Sequence, residues 1–478
     1  MTRMSAALRG TVLTVGALLL TETLMPEQRV YALVNPLVDV ELDAGQQGTV
    51  NPRATDPAVR RSRLVSVNVS ALPVPPADAF SGRPSLPVRQ PILTLELFPD
   101  VFVAATFDRF DPNPTGVTWV GKVAGDARSS VTLVYGQGML TGSLLTAAGT
   151  YTIRPAGNGV HVIAEVDQAL LAREAEPVAV TYTAAELEAA SDVIMGDTAG
   201  VVDVMVVYTP TARTHVGGQT AMEQLIATAV SETNTSYANS HIAQRIRLVH
   251  TALVDYTEVS NFSTSLSALR FGTDAGLAGV AALRDQYAAD MVMMLIHPTS
   301  PSACGIAYVQ NTVSAAFAPA AFSVTDTSCM SPGFTFAHEL GHNMGAHHDW
   351  YVSASQFPYP YAHGYVNPAV GQRWRSIMAY NDRCTEAGFS CRRLLAWANP
   401  DQFINPYCEF GSGFVCDHRL WYLPGVRMGV PSGTRSNCQT GQLTSIECDA
   451  DDRRALNNTA LTVANFRQSV IAPDPRRH

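Results

Sequence analysis

Residues 336–349 read Phe336-Ala337-His338-Glu339-Leu340-Gly341-His342-Asn343-Met344-Gly345-Ala346-His347-His348-Asp349. On an α-helix, residues four apart stack on one face, so His338 and His342 can reach one ion together, at about 2.0–2.1 Å from each nitrogen. Glu339 follows the first of them and lies beside the metal rather than on it, where a base for an activated water has to be. Gly345 can take positive φ and end the helix, which lets the chain turn back and deliver His348 as third ligand. Three protein ligands leave a fourth position open, the arrangement of a catalytic zinc and not of a structural one. With 12 His in 478 residues, these five fixed positions arise by chance on the order of 10⁻⁵ per chain. His347 falls outside the spacing and is read as a non-ligand.

Working outward, residues 201–208 form a near-continuous apolar strand, 219–239 a helix with Met222, Leu225, Ile226 and Val230 on its apolar side, and 246–254 a second strand. A helix around 276–287 leads into a strand at 290–296, and the alternation predicts a largely parallel sheet covered by helices. Upstream, residues 33 to about 190 read as short strands (118–123, 131–135, 160–166) broken by Gly136-Gln137-Gly138 and Gly157-Asn158-Gly159. An acidic helical link at 183–192 and the small-residue run Gly196-Asp197-Thr198-Ala199-Gly200 follow, the latter expected to be a flexible joint. Residues 401–450 hold four cysteines with little periodicity and read as a disulfide-stapled insertion. A terminal helix is expected over 451–468, docking through Leu456, Leu461, Val463 and Phe466. The length of 478 residues agrees with more than one core.

A net charge of -9 and a pI near 5.7 provide no basic field for phosphate backbones, so nucleic acid is not an expected partner. Arg3 and Arg9 precede the apolar run 12–20, too short to span a bilayer and shaped like a signal-peptide core, with cleavage expected near residue 32. The mature form is therefore expected to be exported, free of the membrane, and a monomer. All eight cysteines lie after residue 303, which reads as disulfides. Their spacings suggest neighbour pairing: 304 with 329, 384 with 391, 408 with 416 and 438 with 448.

The extended motif HExxHxxGxxH resembles the metzincin signature, and the chain is similar to bacterial peptidyl-Asp metalloendopeptidases. Asp349 after the third His resembles the adamalysin branch, while Ser376-Ile377-Met378-Ala379-Tyr380 resembles the Met-turn of astacins and serralysins. The resemblance runs over roughly 200–400 and returns at 456–467. It implies an α/β (more fully α+β) metzincin zincin catalytic domain at 197–400, preceded by a signal peptide at 1–32 and a separate β-rich propeptide at 33–196. The insertion 401–450 and the helix and tail 451–478 complete the chain. It also implies one catalytic Zn²⁺, with Met378 as the apolar floor below it and Tyr380 contacting the metal or the oxyanion; calcium is left open. Gly305-Ile306-Ala307 would be the edge strand that aligns a peptide substrate. Cleavage on the N-terminal side of Asp would require a cationic pocket, with Arg383 the first candidate and Arg375 the second.

These readings define a zinc endopeptidase acting on proteins or peptides, with Glu339 moving the proton. A cysteine-free N-terminal domain excludes latency through a thiolate, leaving a carboxylate or steric blockage. Two other readings stand beside it: a metalloprotease-like binding or adhesion protein working through its cysteine-rich segment, and a zinc hydrolase of non-peptide substrates. Protein degradation with a chelator control separates the three.

Overall fold

Alternation shapes the N-terminal half. The strands β1 (Leu37–Asp39), β2 (Val59–Val67), β3 (Leu93–Phe98), β4 (Val101–Asn113) and β5 (Gly116–Val123) lead to β6 (Ser130–Gly136), β7 (Met139–Leu145), β8 (Thr150–Gly157) and β9 (Val160–Val166). β4 alternates buried and exposed residues from Val101 to Thr106, as a strand with one dry face must. These strands form one antiparallel sheet of nine, ordered β1-β2-β9-β8-β7-β6-β5-β4-β3, around a core that includes Val65, Leu95, Trp119, Leu133, Tyr151 and Ile163. β7 is buried on both faces beyond its first residue, because the helix Gln219–Asn239 covers the face turned away from that core. The computed structural model describes residues 35–40, 56–76, 92–126, 128–191, 196–369, 373–404 and 426–471. The expected signal segment, Asp192 and the Cys408/Cys416 pair lie outside them.

The second sheet is built from β10 (Val178–Ala179), β11 (Val201–Tyr208), β12 (Arg245–Leu253), β13 (Met291–Ile296), β14 (Gly305–Val309) and β15 (Phe322–Asp326), in the order β10-β14-β15-β13-β11-β12. Four strands run parallel, as the alternation implies, but β14 is antiparallel to β15. The connection between them holds only the 3₁₀ turn Ala315–Ala320, so no crossover helix is present to carry the chain back to the same end. β14 would be the open edge of this sheet. Instead β10, arriving from the N-terminal half, pairs with it in parallel.

Residues 399–404 and 426–428 pair as a short antiparallel sheet, and the Cys438–Cys448 loop packs on Trp350, whose indole donates to Asp449 O at 2.7 Å. This part of the expected insertion braces the chain just after the third histidine. Cys304–Cys329 and Cys384–Cys391 also form as neighbour pairs. The terminal helix is shorter than expected, Asp452–Val463; Leu456, Val463 and Phe466 are buried, whereas Leu461 falls on the outer face and is 46 % exposed. The joint at Asp197 is not loose: its N–H donates to Asn465 Oδ1 at 2.9 Å and its carboxylate accepts from Ser469 N at 2.6 Å. Among the described residues no helix is long and apolar enough to cross a membrane.

Candidate metal centre and substrate cleft

The helix Thr335–Asn343 is buried throughout and packs beneath β14 and β15. Phe334 enters it at φ 56° and Gly345 leaves it at φ 88°, so the turn that redirects the chain uses the residue free of a Cβ. Gly341 answers a second demand: a Cβ there would lie 2.8 Å from Met378 Sδ and 2.8 Å from the Trp397 ring. The helix can therefore settle directly on Met378, which is fully buried below it.

His338, His342 and His348 converge, with His348 Nε2 3.2 Å from His338 Nε2 and 3.0 Å from His342 Nε2. His338 Nδ1 faces Ile377 O at 2.9 Å and His342 Nδ1 faces Ala346 O at 2.7 Å. Carbonyl oxygens only accept, so each Nδ1 carries the proton and each Nε2 presents a lone pair. Lone pairs facing one another in a buried space repel unless a cation lies among them, and three converging imidazoles are a donor set that suits zinc. The residues present fit the metal that the motif implies. His347 is not in this cluster; its Nε2 lies 2.9 Å from Asn311 Oδ1.

Glu339 is completely buried, and neither carboxylate oxygen has a hydrogen-bond partner. Burial, and next the negative charge of Glu174, push its carboxyl well above the usual carboxylate range, while Arg393 pulls the other way. Gly305 leaves room for it, since a Cβ there would meet Glu339 Oε1 at 2.5 Å. Asp349 ties the third histidine to the Met378 turn: its Oδ2 accepts from Tyr380 N at 2.8 Å and its Oδ1 from Tyr351 N at 3.0 Å. The Tyr380 ring lies against His348, with centroids 3.9 Å apart, and its hydroxyl donates to Glu174 O at 2.7 Å.

Gly305, Ile306 and Ala307 lie on β14, whose outer edge is engaged by residues 173–179. Cys304 N donates to Arg173 O at 3.0 Å and Ala175 N to Gly305 O at 2.8 Å. Of the two arginines expected in a cationic pocket, Arg383 turns away: its Nε points to Leu443 O, towards the Cys438–Cys448 loop. Arg375 lines the cleft, but its Nε and Nη1 donate to Cys391 O and Ala379 O at 3.1 and 2.6 Å. The arginine that meets a carboxylate is Arg393, ten residues beyond the first candidate and past the second cysteine of the Cys384–Cys391 loop. Nothing local in the sequence marks it, nor Glu174 or Thr335, because their meeting depends on the tertiary fold. Gly341 could have been found, since a glycine inside a helix that must pack hard is a signal of close approach.

A buried histidine triad with a free carboxylate alongside, on a helix beneath a mixed sheet, defines a zinc metalloendopeptidase. The Reprolysin_5 model of metallo-peptidase family M12 matches residues 198–390. The peptidyl-Asp metalloendopeptidase of Stenotrophomonas maltophilia strain K279a is 33% identical over 349 residues, covering 72% of this chain and 72% of the relative. That of S. maltophilia strain R551-3 is 32% identical over 356 residues, again 72% of each chain. The enzyme of the same name from Xanthomonas campestris pv. campestris is 30% identical over 354 residues, 72% of this chain and 71% of the relative. The chain belongs to the family of these bacterial metalloendopeptidases.

Proposed function

We propose that the chain is an exported, latent metzincin with one catalytic zinc, which cuts proteins on the N-terminal side of Asp; relatives named peptidyl-Asp metalloendopeptidase support the choice of Asp. His338, His342 and His348 hold the ion, and the observation that carries the reading is the convergence of their three ring nitrogens beside an unpartnered Glu339. Zinc, when bound, supplies a Lewis acid for the substrate carbonyl and acidifies water. Glu339 accepts a proton from the attacking water and delivers it to the leaving nitrogen. Its dry surroundings strengthen it as a base for that transfer. Tyr380 offers a hydroxyl donor to the substrate carbonyl, the part its hydroxyl plays toward Glu174 O in this structure. Met378 supports the helix from below. Gly305, Ile306 and Ala307 bind the substrate main chain.

Residues 33–196 act as the propeptide of this monomer, following a signal peptide at 1–32. The engagement of β14 by residues 173–179 supports latency by steric blockage. Glu339→Gln is expected to retain zinc, measured by metal analysis of the purified chain, while proteolysis falls by roughly 10²-fold or more. Near wild-type turnover in this variant would remove Glu339 from the mechanism.

A further inference from the structure

Arg393 is 3 % exposed, in a two-residue strand beside Trp374–Arg375, and all of its terminal donors are directed. Nη1 donates to Gly333 O at 2.8 Å and Nη2 to Ala379 O at 3.2 Å, which fixes the plane of the guanidinium between the start of the motif helix and the Met378 turn. The remaining fork meets one carboxylate, Glu174, through Nη1–Oε1 at 2.5 Å and Nη2–Oε2 at 3.1 Å. Thr335 Oγ1 adds a third bond to Oε1 at 3.1 Å. Arg375 stands behind with its Nε and Nη1 donating to carbonyls, and, unlike Arg393, it shows no bond to the Glu174 carboxylate. A cavity of about 170 Å³ opens here, lined in part by Leu171, Glu174, Thr335, Arg375, Tyr380 and Arg393.

A planar fork held rigid in a dry pocket beside the metal ligands has a chemical consequence. Without an anion it is a buried cation lacking its partner, and any side chain entering must supply a carboxylate or leave that charge uncompensated. We propose that Arg393 is the residue that reads the acidic side chain of the substrate, and that Glu174 fills its pocket in the intact chain. The inference rests on the endopeptidase reading above and names the residue behind its specificity.

Glu174 occupies the pocket in a direction that spares it. In a substrate cut before its acidic residue, the carbonyl presented to Tyr380 belongs to the preceding residue. Here Tyr380 binds the carbonyl of Glu174 itself, on the following side, while the carbonyl of Arg173 is taken up by Cys304 N. The segment, which runs parallel to β14, therefore presents its carbonyls to Tyr380 and Cys304 in an order shifted from that of a substrate cut before its acidic residue. The acid is recognised, and the bond before it is kept from the catalytic groups.

The test uses the chain after it has become active and a pair of peptides differing only in Asp or Asn after the scissile bond. Wild type is expected to prefer Asp, and Arg393→Ala to lose that preference by roughly 10- to 100-fold in kcat/KM ratio, the size of a charge-assisted bidentate pair. An unchanged ratio in Arg393→Ala overturns the assignment while leaving the endopeptidase intact. A wild type that cuts peptides with no preference for Asp overturns both the assignment and the cleavage rule it rests on. Because Arg393→Ala removes a buried partner and can fail to fold, a second arm uses wild-type enzyme alone. A synthetic peptide of residues 168–180 is expected to inhibit roughly 10- to 100-fold more tightly than the same peptide carrying Glu174→Gln; equal inhibition by the two overturns the proposal.

Discussion

The two halves of the molecule bury polar groups to different ends. The N-terminal half keeps an apolar core in its nine-stranded sheet and, among the described residues before 197, only two buried side chains of the Asp, Glu, Lys and Arg types, Arg154 on β8 and Glu174 beyond the last strand of that sheet. The other half gathers His338, Glu339, His342, His348, Arg375 and Arg393 into one region and braces it with disulfides. A sheet needs only a pattern, whereas a reaction centre needs charges held out of water by neighbours that cannot move. Both of these buried charges act across the boundary, Glu174 on Arg393 and Arg154 near Glu232 of the helix Gln219–Asn239. That helix also meets the sheet through polar pairs such as Thr141 with Gln224 at 3.1 Å and Asp111 with Ser231 at 2.8 Å. A boundary rich in side-chain hydrogen bonds is the polar kind that lets two parts of a chain move relative to each other.

The largest effect belongs to the reaction centre. His348→Ala removes a ligand and is expected to lose both bound zinc and nearly all proteolysis, whereas His347→Ala, whose ring faces Asn311, keeps both to a far greater degree. Equal zinc loss from the two variants would break the division drawn here between ligand and neighbour.

Separation of the halves gives the next largest effect. Cleavage at Gly196-Asp197 is expected to release the cysteine-free half and to raise activity on added substrate, with the new terminus still held by Asn465 and Ser469. Because the joint is pinned in the intact chain, processing has to wait for local release of these bonds. N-terminal sequencing of the active form checks this. A start before residue 100, or the same start in Glu339→Gln made without other proteases, would rule out self-processing at this bond.

The same contrast explains what was legible beforehand. Strand β11 and the helix Gln219–Asn239 match their expected bounds because a single period runs through each. The convergence of the three histidines is legible because they are close in the chain and a helix sets the spacing of the first two. Arg393 and Glu174 are 219 positions apart, and no local period or spacing joins such a pair. The edge strand at Gly305–Val309 is expected from the resemblance, but its antiparallel direction is not legible, since strand direction depends on whether a connection carries a helix across the sheet. Asp197 was expected to be mobile because Gly and Thr flank it, yet partners supplied by the chain terminus hold it.

The smallest effect probes the boundary itself. Glu232 is 3 % exposed, on the helix Gln219–Asn239. Burial pushes its carboxyl up from 4.5 to about 7, against the opposing pull of Ser143 and of Arg154 from the sheet. A carboxyl whose pKa is higher in the folded chain binds more protons there than when unfolded. Its stabilising contribution is thus complete below pH 4.5 and is lost as pH rises through about 7. Between pH 5 and pH 7 the loss amounts to about 2 kcal/mol, from 1.36 kcal/mol per unit. His161, on β9 and lowered to about 4 chiefly by burial, works in the opposite sense over part of the same range, adding stability as pH rises from 4 toward 6.5. Asp290, raised to about 8, and Asp349, raised to about 6, both chiefly by burial, add to the whole-chain profile as well, so the informative quantity is the difference between wild type and Glu232→Gln. Denaturant unfolding of the intact chain from pH 5 to pH 7 is expected to show wild type losing about 2 kcal/mol relative to the variant. Parallel curves for the two proteins would mean that Glu232 does not titrate in this window and that the boundary between the halves is not sensitive to its charge.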